Sequence, residues 1–130
     1  MSTMQNDTPA VRALGDIRPF RFVAFDATGT DNGVVEADAG DLMVIGITTG
    51  DNRSFDSANH SENGDVCALQ AGGIKRVELN FTCDAGDRLN PDANGLAVLG
   101  SVGEASFAIA LEDGSAADVI RCLWDPQIIA

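Results

Sequence analysis

Between Ile74 and Phe81 the chain reads IKRVELNF, and Val77, Leu79 and Phe81 alternate with Arg76, Glu78 and Asn80. A period of two sends successive side chains to opposite faces of an extended backbone, which marks a half-buried strand. FRFVAF (20–25) repeats the signature, with Phe20, Phe22 and Ala24 on one face. Further short apolar runs rich in β-branched residues are GVVEA (33–37), LMVIGIT (42–48), DVCALQ (65–70), GLAVLG (95–100), ASFAIAL (105–111) and DVIRCLW (118–124). Clusters of Gly, Asp and Asn separate them, and no stretch of ten residues keeps a helical period without a glycine break. The expected fold is all-β: a small antiparallel β-sandwich or β-barrel of seven to nine strands. Residues 1–16 have no period and contain Pro9, so they read as a flexible N-terminal arm ahead of a single β domain over 17–130.

A chain of 130 residues fits one domain and can remove roughly two-thirds of its unfolded surface from water. With 45% hydrophobic residues, a core forms without metals or disulfides. Twenty acidic residues against eight basic ones give a net charge of −12. Phosphate recognition requires clustered Lys and Arg, so nucleic acid is excluded as a partner, and anionic membranes are disfavoured for the same reason. The chain shows no leader pattern and no apolar run long enough to span a bilayer, so neither a signal peptide nor a membrane span is expected. Cys67, Cys83 and Cys122 are odd in number and lack CxxC spacing, which suits free thiols in a reducing compartment.

One stretch invites a metal reading. In AGDRLNPDANGLAVLG (85–100), Asn90, Asp92 and Asn94 alternate and Gly95 follows, as at the start of a calcium loop. The twelfth position, where a bidentate Glu is required, holds Ser101, and Pro91 occupies the second. A hairpin turned at Asn94–Gly95, between DRL and LAVL, needs neither.

Catalytic patterns are missing too. His60 is the one histidine and lies in the polar loop 49–64, without an identified partner for a triad or a zinc site. No GxSxG elbow and no GxxxxGK[ST] phosphate cradle occurs. Carboxylates are plentiful, yet no spacing singles out an acid–base pair, and no tyrosine is present to build a sugar platform. The expectation is a protein with no catalytic residues, no cofactor and no metal.

The order of IRPFRFVAFD (17–26), VVEADAGDLMVIGIT (34–48), GDVCALQAGG (64–73), AGDRLNPDANGLAVLG (85–100) and FAIALEDGSAADVIRCLW (107–124) resembles the small phage capsid cement, or head decoration, proteins. The resemblance covers about residues 11–124, and the polar loop 49–64 departs from it. It implies a β-tulip-like domain, a homotrimer, and a major capsid protein as partner. It also implies a place on the outer surface of the expanded head, at three-fold and quasi-three-fold positions, after assembly in the bacterial cytoplasm. No catalytic residues carry over.

Two sets of contacts are expected from the residues themselves. Val11, Arg12, Leu14, Ile17, Arg18 and Arg21, in and beside the arm, combine apolar side chains with three of the eight basic residues and suit a groove with carboxylates on the capsid. Trp124, Ile128 and Ile129 close the chain with apolar bulk and suit a subunit interface; core packing is the competing role for Trp124. A β-sandwich module that binds glycans or host surfaces is the alternative function.

Overall fold

The computed structural model describes residues 10–26, 33–52 and 66–129. Ten strands occur among them: β1 (Ala10–Ala13), β2 (Phe22–Phe25), β3 (Gly33–Glu36), β4 (Val44–Ile47), β5 (Val66–Ala68), β6 (Ile74–Glu78), β7 (Arg88–Pro91), β8 (Ala97–Leu99), β9 (Ala105–Ala110) and β10 (Val119–Ile128). They form two five-stranded sheets, ordered β4-β2-β3-β1-β5 and β6-β10-β9-β7-β8. The all-β expectation holds, with every strand pair antiparallel except β1 with β3.

Both sheets curl until their edges meet. In the first, Thr48 bridges Leu69. The Thr49 N–H donates to Ala68 O (3.0 Å) and the Gln70 N–H to Ile47 O (2.9 Å), which ties β4 to β5. In the second, Leu79 just past β6 bridges Ala97 of β8, and the Asn80 N–H reaches Ala97 O at 2.9 Å. Pinning the ends of the edge strands together shortens the unpaired backbone that would otherwise template pairing with other chains.

The first sheet is apolar on both faces. Phe22, Val23 and Ala24 are all buried although successive residues point oppositely. Phe22, Ala24, Val44 and Ile47 join Val77, Leu79, Leu89, Ala108, Ile120 and Cys122 of the second sheet in one core. Val23, Val34, Ile17, Cys67 and Leu69 fill a second, smaller core on the opposite face. Phe22, Phe107 and Trp124 meet in the first core with ring centroids 6.2–6.4 Å apart, a spacing at which tilted and offset rings attract. Each fully buried Leu, Ile or Phe contributes about 1.5–3 kcal/mol.

A single turn design launches four strands. In Asp38–Asp41, Asp84–Asp87, Ser101–Glu104 and Ser115–Asp118 the fourth residue's N–H donates to the first residue's carbonyl at 3.0–3.1 Å. Its carboxylate then accepts the first residue's N–H at 2.8–3.0 Å. The third residue has positive φ in each: Gly40, Gly86, Gly103 and Ala117. These turns precede β4, β7, β9 and β10.

The expected hairpin over 85–100 is present as β7 and β8, with Pro91 opposite Ala97. Its turn differs from the expected one, because Gly95 alone takes positive φ (+73°). The Gly95 N–H donates to Asp92 O (3.2 Å), and the Asp92 side chain accepts the N–H groups of Asn94 (2.8 Å) and Leu96 (3.0 Å). The oxygen that imitated a calcium ligand caps its own turn.

Two boundaries need correction. Residues 10–13 of the expected arm form β1, an interior strand between β3 and β5; residues 1–9 lie outside the described residues. Ala13 packs into the smaller core, and β1 binds two neighbours, so burial and backbone pairing outweigh the absent period. The last strand continues past Trp124 to Ile128, because a bulge between Trp124 and Gln127 accommodates Pro126, which has no N–H to donate. Arg88 and Leu89 of the expected DRL flank open β7, as the hairpin reading requires.

Candidate interaction surface

Many of the described carboxylates are occupied in holding the fold. Beyond the four turn caps and Asp92, Asp113 accepts the Ala85 N–H (2.8 Å). Glu36 takes the Arg18 backbone N–H (2.8 Å) together with its guanidinium (2.8 and 3.0 Å). Glu112 takes both the backbone and the side chain of Arg121 (2.8 and 3.2 Å), which holds its carboxyl below the usual range. Among the described residues no three His, Cys, Asp or Glu side chains gather in a metal-binding arrangement. His60 and most of the loop 49–64 lie outside the described residues.

A groove of about 260 Å³ runs between Leu42, Pro91, Phe107 and Ile128, with Asp41, Asn90 and Glu104 on its wall. One Glu104 oxygen already accepts the Ser101 N–H and Asp41 the Asp38 N–H, so both carboxylates serve turns.

The sequence-predicted contact residues separate. Ile17 is fully buried and its carbonyl accepts Asn52 Nδ2 (3.0 Å). Arg21 is 7% exposed; it donates to Asn94 O (3.0 Å) and lies 3.7 Å from Glu78. Burial, with Arg18 nearby, lowers its pKa from the ordinary guanidinium value. Neither side chain is accessible to a partner: the apolar one completes a core, and the charged one fastens the 92–96 turn to the first sheet. Arg18 is half-buried against Glu36. Val11 packs on the smaller core, Leu14 is half-buried, and Arg12 is exposed beside Val66.

At the other end Trp124 takes the core role, with Lys75 Nζ 5.7 Å from its ring centroid. Lys75 is itself buried, donates to Gln70 O (2.6 Å), and has its pKa lowered by desolvation. Ile128 is 65% exposed and Ile129 half-buried near Gly100, so of this set Ile128 has the largest free surface.

Sequence reasoning overlooked the exposed aliphatics Leu42, Val66, Ile74, Val102, Val119 and Leu123. A signal was available for several of them. Ile74 shares its strand phase with Arg76 and Glu78, while Val119 and Leu123 share theirs with Arg121. An apolar residue in the polar phase of a strand lies on the outer face.

Fold and surface together define a class: a β-rich body of two curled, mutually packed sheets whose described residues expose several aliphatic side chains. No family model matches the sequence, and no curated protein does. Among solved structures the fold is similar to the N base of head fiber gp8.5 of bacteriophage phi29, with a TM-score of 0.65 and 16% identity. The match covers 91% of this chain and 92% of that one.

Proposed function

We propose that this chain is a structural, non-catalytic component of a phage head: a decoration, or cement, protein seated on the outer surface of the expanded shell. The observation that carries the reading is the likeness to a phage head fiber base over nine-tenths of both chains. The resemblance of residues 11–124 to cement proteins points to the same particle by a separate route. Carboxylates that an enzyme would need for chemistry instead cap turns and pair with arginines. A net charge of −12 keeps decorated particles mutually repelled, whereas a protein lining packaged DNA would be neutral or basic.

On this reading the direct partner is the major capsid protein. A homotrimer fits a three-fold lattice point because a closed cyclic assembly repeats one contact three times, and each bound subunit raises the effective concentration of the next. Ile128 and Ile129 supply the subunit contact. Arg12, with Val11 and Leu14 beside it, supplies part of the capsid contact. The glycan-binding alternative needs an exposed aromatic platform; Phe25, 42% exposed, is the large exposed aromatic among the described residues.

The test is co-sedimentation of purified protein with expanded and with unexpanded heads that lack it, together with immunogold labelling of virions. Binding to expanded heads and gold on the outside of the coat are expected. Failure to bind either head form would overturn the proposal.

A further inference from the structure

The outer face of the second sheet carries an arrangement that folding alone does not explain. On β10, Ile120 and Cys122 point into the core while Val119, Arg121 and Leu123 point out. The β6 register sets Ile74 opposite Leu123, Arg76 opposite Arg121, and Glu78 opposite Val119. On the β9 side Ile109 lies opposite Leu123, and the Leu111 N–H donates to Arg121 O at 3.0 Å. An aliphatic row, Ile74–Leu123–Ile109, therefore borders a row holding two guanidinium groups.

Ile74 is 61% exposed, and Leu123, Leu111 and Val119 are 39–40% exposed. Adjacent apolar side chains on a soluble surface mark a contact site more often than isolated ones do. The arginines are the second, independent observation. Like charges directly opposite on neighbouring strands destabilise a sheet. Glu112 is bonded to Arg121 and feels the charge of Arg76 from further off, but Arg76 forms no ion pair among the described residues. Elsewhere Arg18, Arg21 and Arg88 each face a carboxylate, as expected in a chain with twenty acids. Two facing arginines amid aliphatics, in so acidic a chain, suit a carboxylate brought by another molecule.

We infer that this face, centred on Arg76, Arg121, Ile74 and Leu123, is the docking surface for the shell, and that its partner is a protein surface presenting carboxylates among apolar side chains. The inference rests on the proposed head-structural role and adds the surface and the partner chemistry. Charge complementarity selects this occupant over a second copy. An isologous pair would bring the Arg76–Arg121 pairs of both copies together across its axis, where Glu112 offsets only Arg121 in each copy and both Arg76 charges stay uncompensated.

The experiment compares wild type, Arg76→Glu, and the double variant Ile74→Ser with Leu123→Ser in binding to expanded heads stripped of this protein. Size-exclusion light scattering and thermal melting run alongside. The exposed Arg76 side chain is in no ion pair among the described residues, so its reversal is expected to leave the fold intact. Both variants are expected to weaken head binding by about tenfold or more. Wild-type binding should weaken with added salt, and Arg76→Glu should lose that dependence. Unchanged binding by both folded variants, with wild type bound, overturns the inference alone. A fall in oligomeric mass without loss of head binding assigns the face to self-association and also overturns it. Failure of wild type to bind overturns the head role itself.

Discussion

Two backbone positions at the residue scale make opposite predictions about substitution. Ala117 has φ +75° at the turn position where Gly40, Gly86 and Gly103 stand in the matching turns. A side chain there is strained, so Ala117→Gly should raise stability by about 0.5–1 kcal/mol, read from the urea midpoint. Gly95 has φ +73°, and an added Cβ would lie 2.8 Å from the carbonyl oxygen of Phe22. The same backbone contact is a stitch between sheets, since the Phe22 N–H donates to Gly95 O (2.9 Å). Gly95→Ala should therefore cost about 2–4 kcal/mol in the same assay. The buried thiols set an alkaline limit. Burial pushes Cys122 up to about 12 and Cys83 up to about 11, from 9.0. The folded chain holds those protons more tightly than the unfolded chain, so their contribution is complete below about pH 8.5 and is lost as pH rises towards 11–12. Lys75, with its lowered pKa, works in the opposite direction over part of that range. Cys122→Ala should flatten the fall in urea midpoint between pH 9 and 11.

At the scale of elements, the sheets are held together by a few polar side chains as well as by apolar packing. Gln70, just past β5, donates to Thr48 O (2.9 Å) and Arg76 O (2.6 Å) and accepts the Arg76 N–H (2.7 Å). It thereby fastens β6 of the second sheet to the end of β4 in the first. Gln70→Ala leaves those backbone groups to find new partners and should cost about 1–3 kcal/mol, visible in thermal melts. Arg88 does similar work inside the second sheet. It donates to Ser106 Oγ (2.9 Å), to Asp125 Oδ2 (3.1 Å) and to Asp125 O, which fixes the bulge that carries β10 past Pro126. Arg88→Ala should release residues 125–129, and amide exchange at Gln127 and Ile128 should accelerate while Cys122 stays protected.

The whole molecule is a body of two curled sheets with one shared core and one smaller core. Its first strand arises from what composition alone presents as an arm. That placement alters how the arm is tested. Deleting residues 2–15 would remove β1 and expose Val34 and Cys67, whereas deleting 2–9 spares the strand. The shorter deletion is expected to keep the melting temperature within a few degrees. Its co-sedimentation with expanded heads then reports whether residues 2–9 contribute to docking beyond the Arg76–Arg121 face.

Local patterning was enough for much of this protein. Alternation in IKRVELNF gives a strand with Val77 and Leu79 inside, and Gly95 gives a hairpin, because strand faces and turn conformations depend on residues adjacent in sequence. The all-β class was legible for the same reason. Local pattern could not show that Phe22, Val23 and Ala24 are buried together, since that requires a layer on each side of β2. Nor could it show that AVRA pairs with β3 and β5, that Arg21 closes on a turn 73 residues away, or that Arg76 faces Arg121. Those facts depend on which distant segments meet, and only the curled packing of the two sheets decided them.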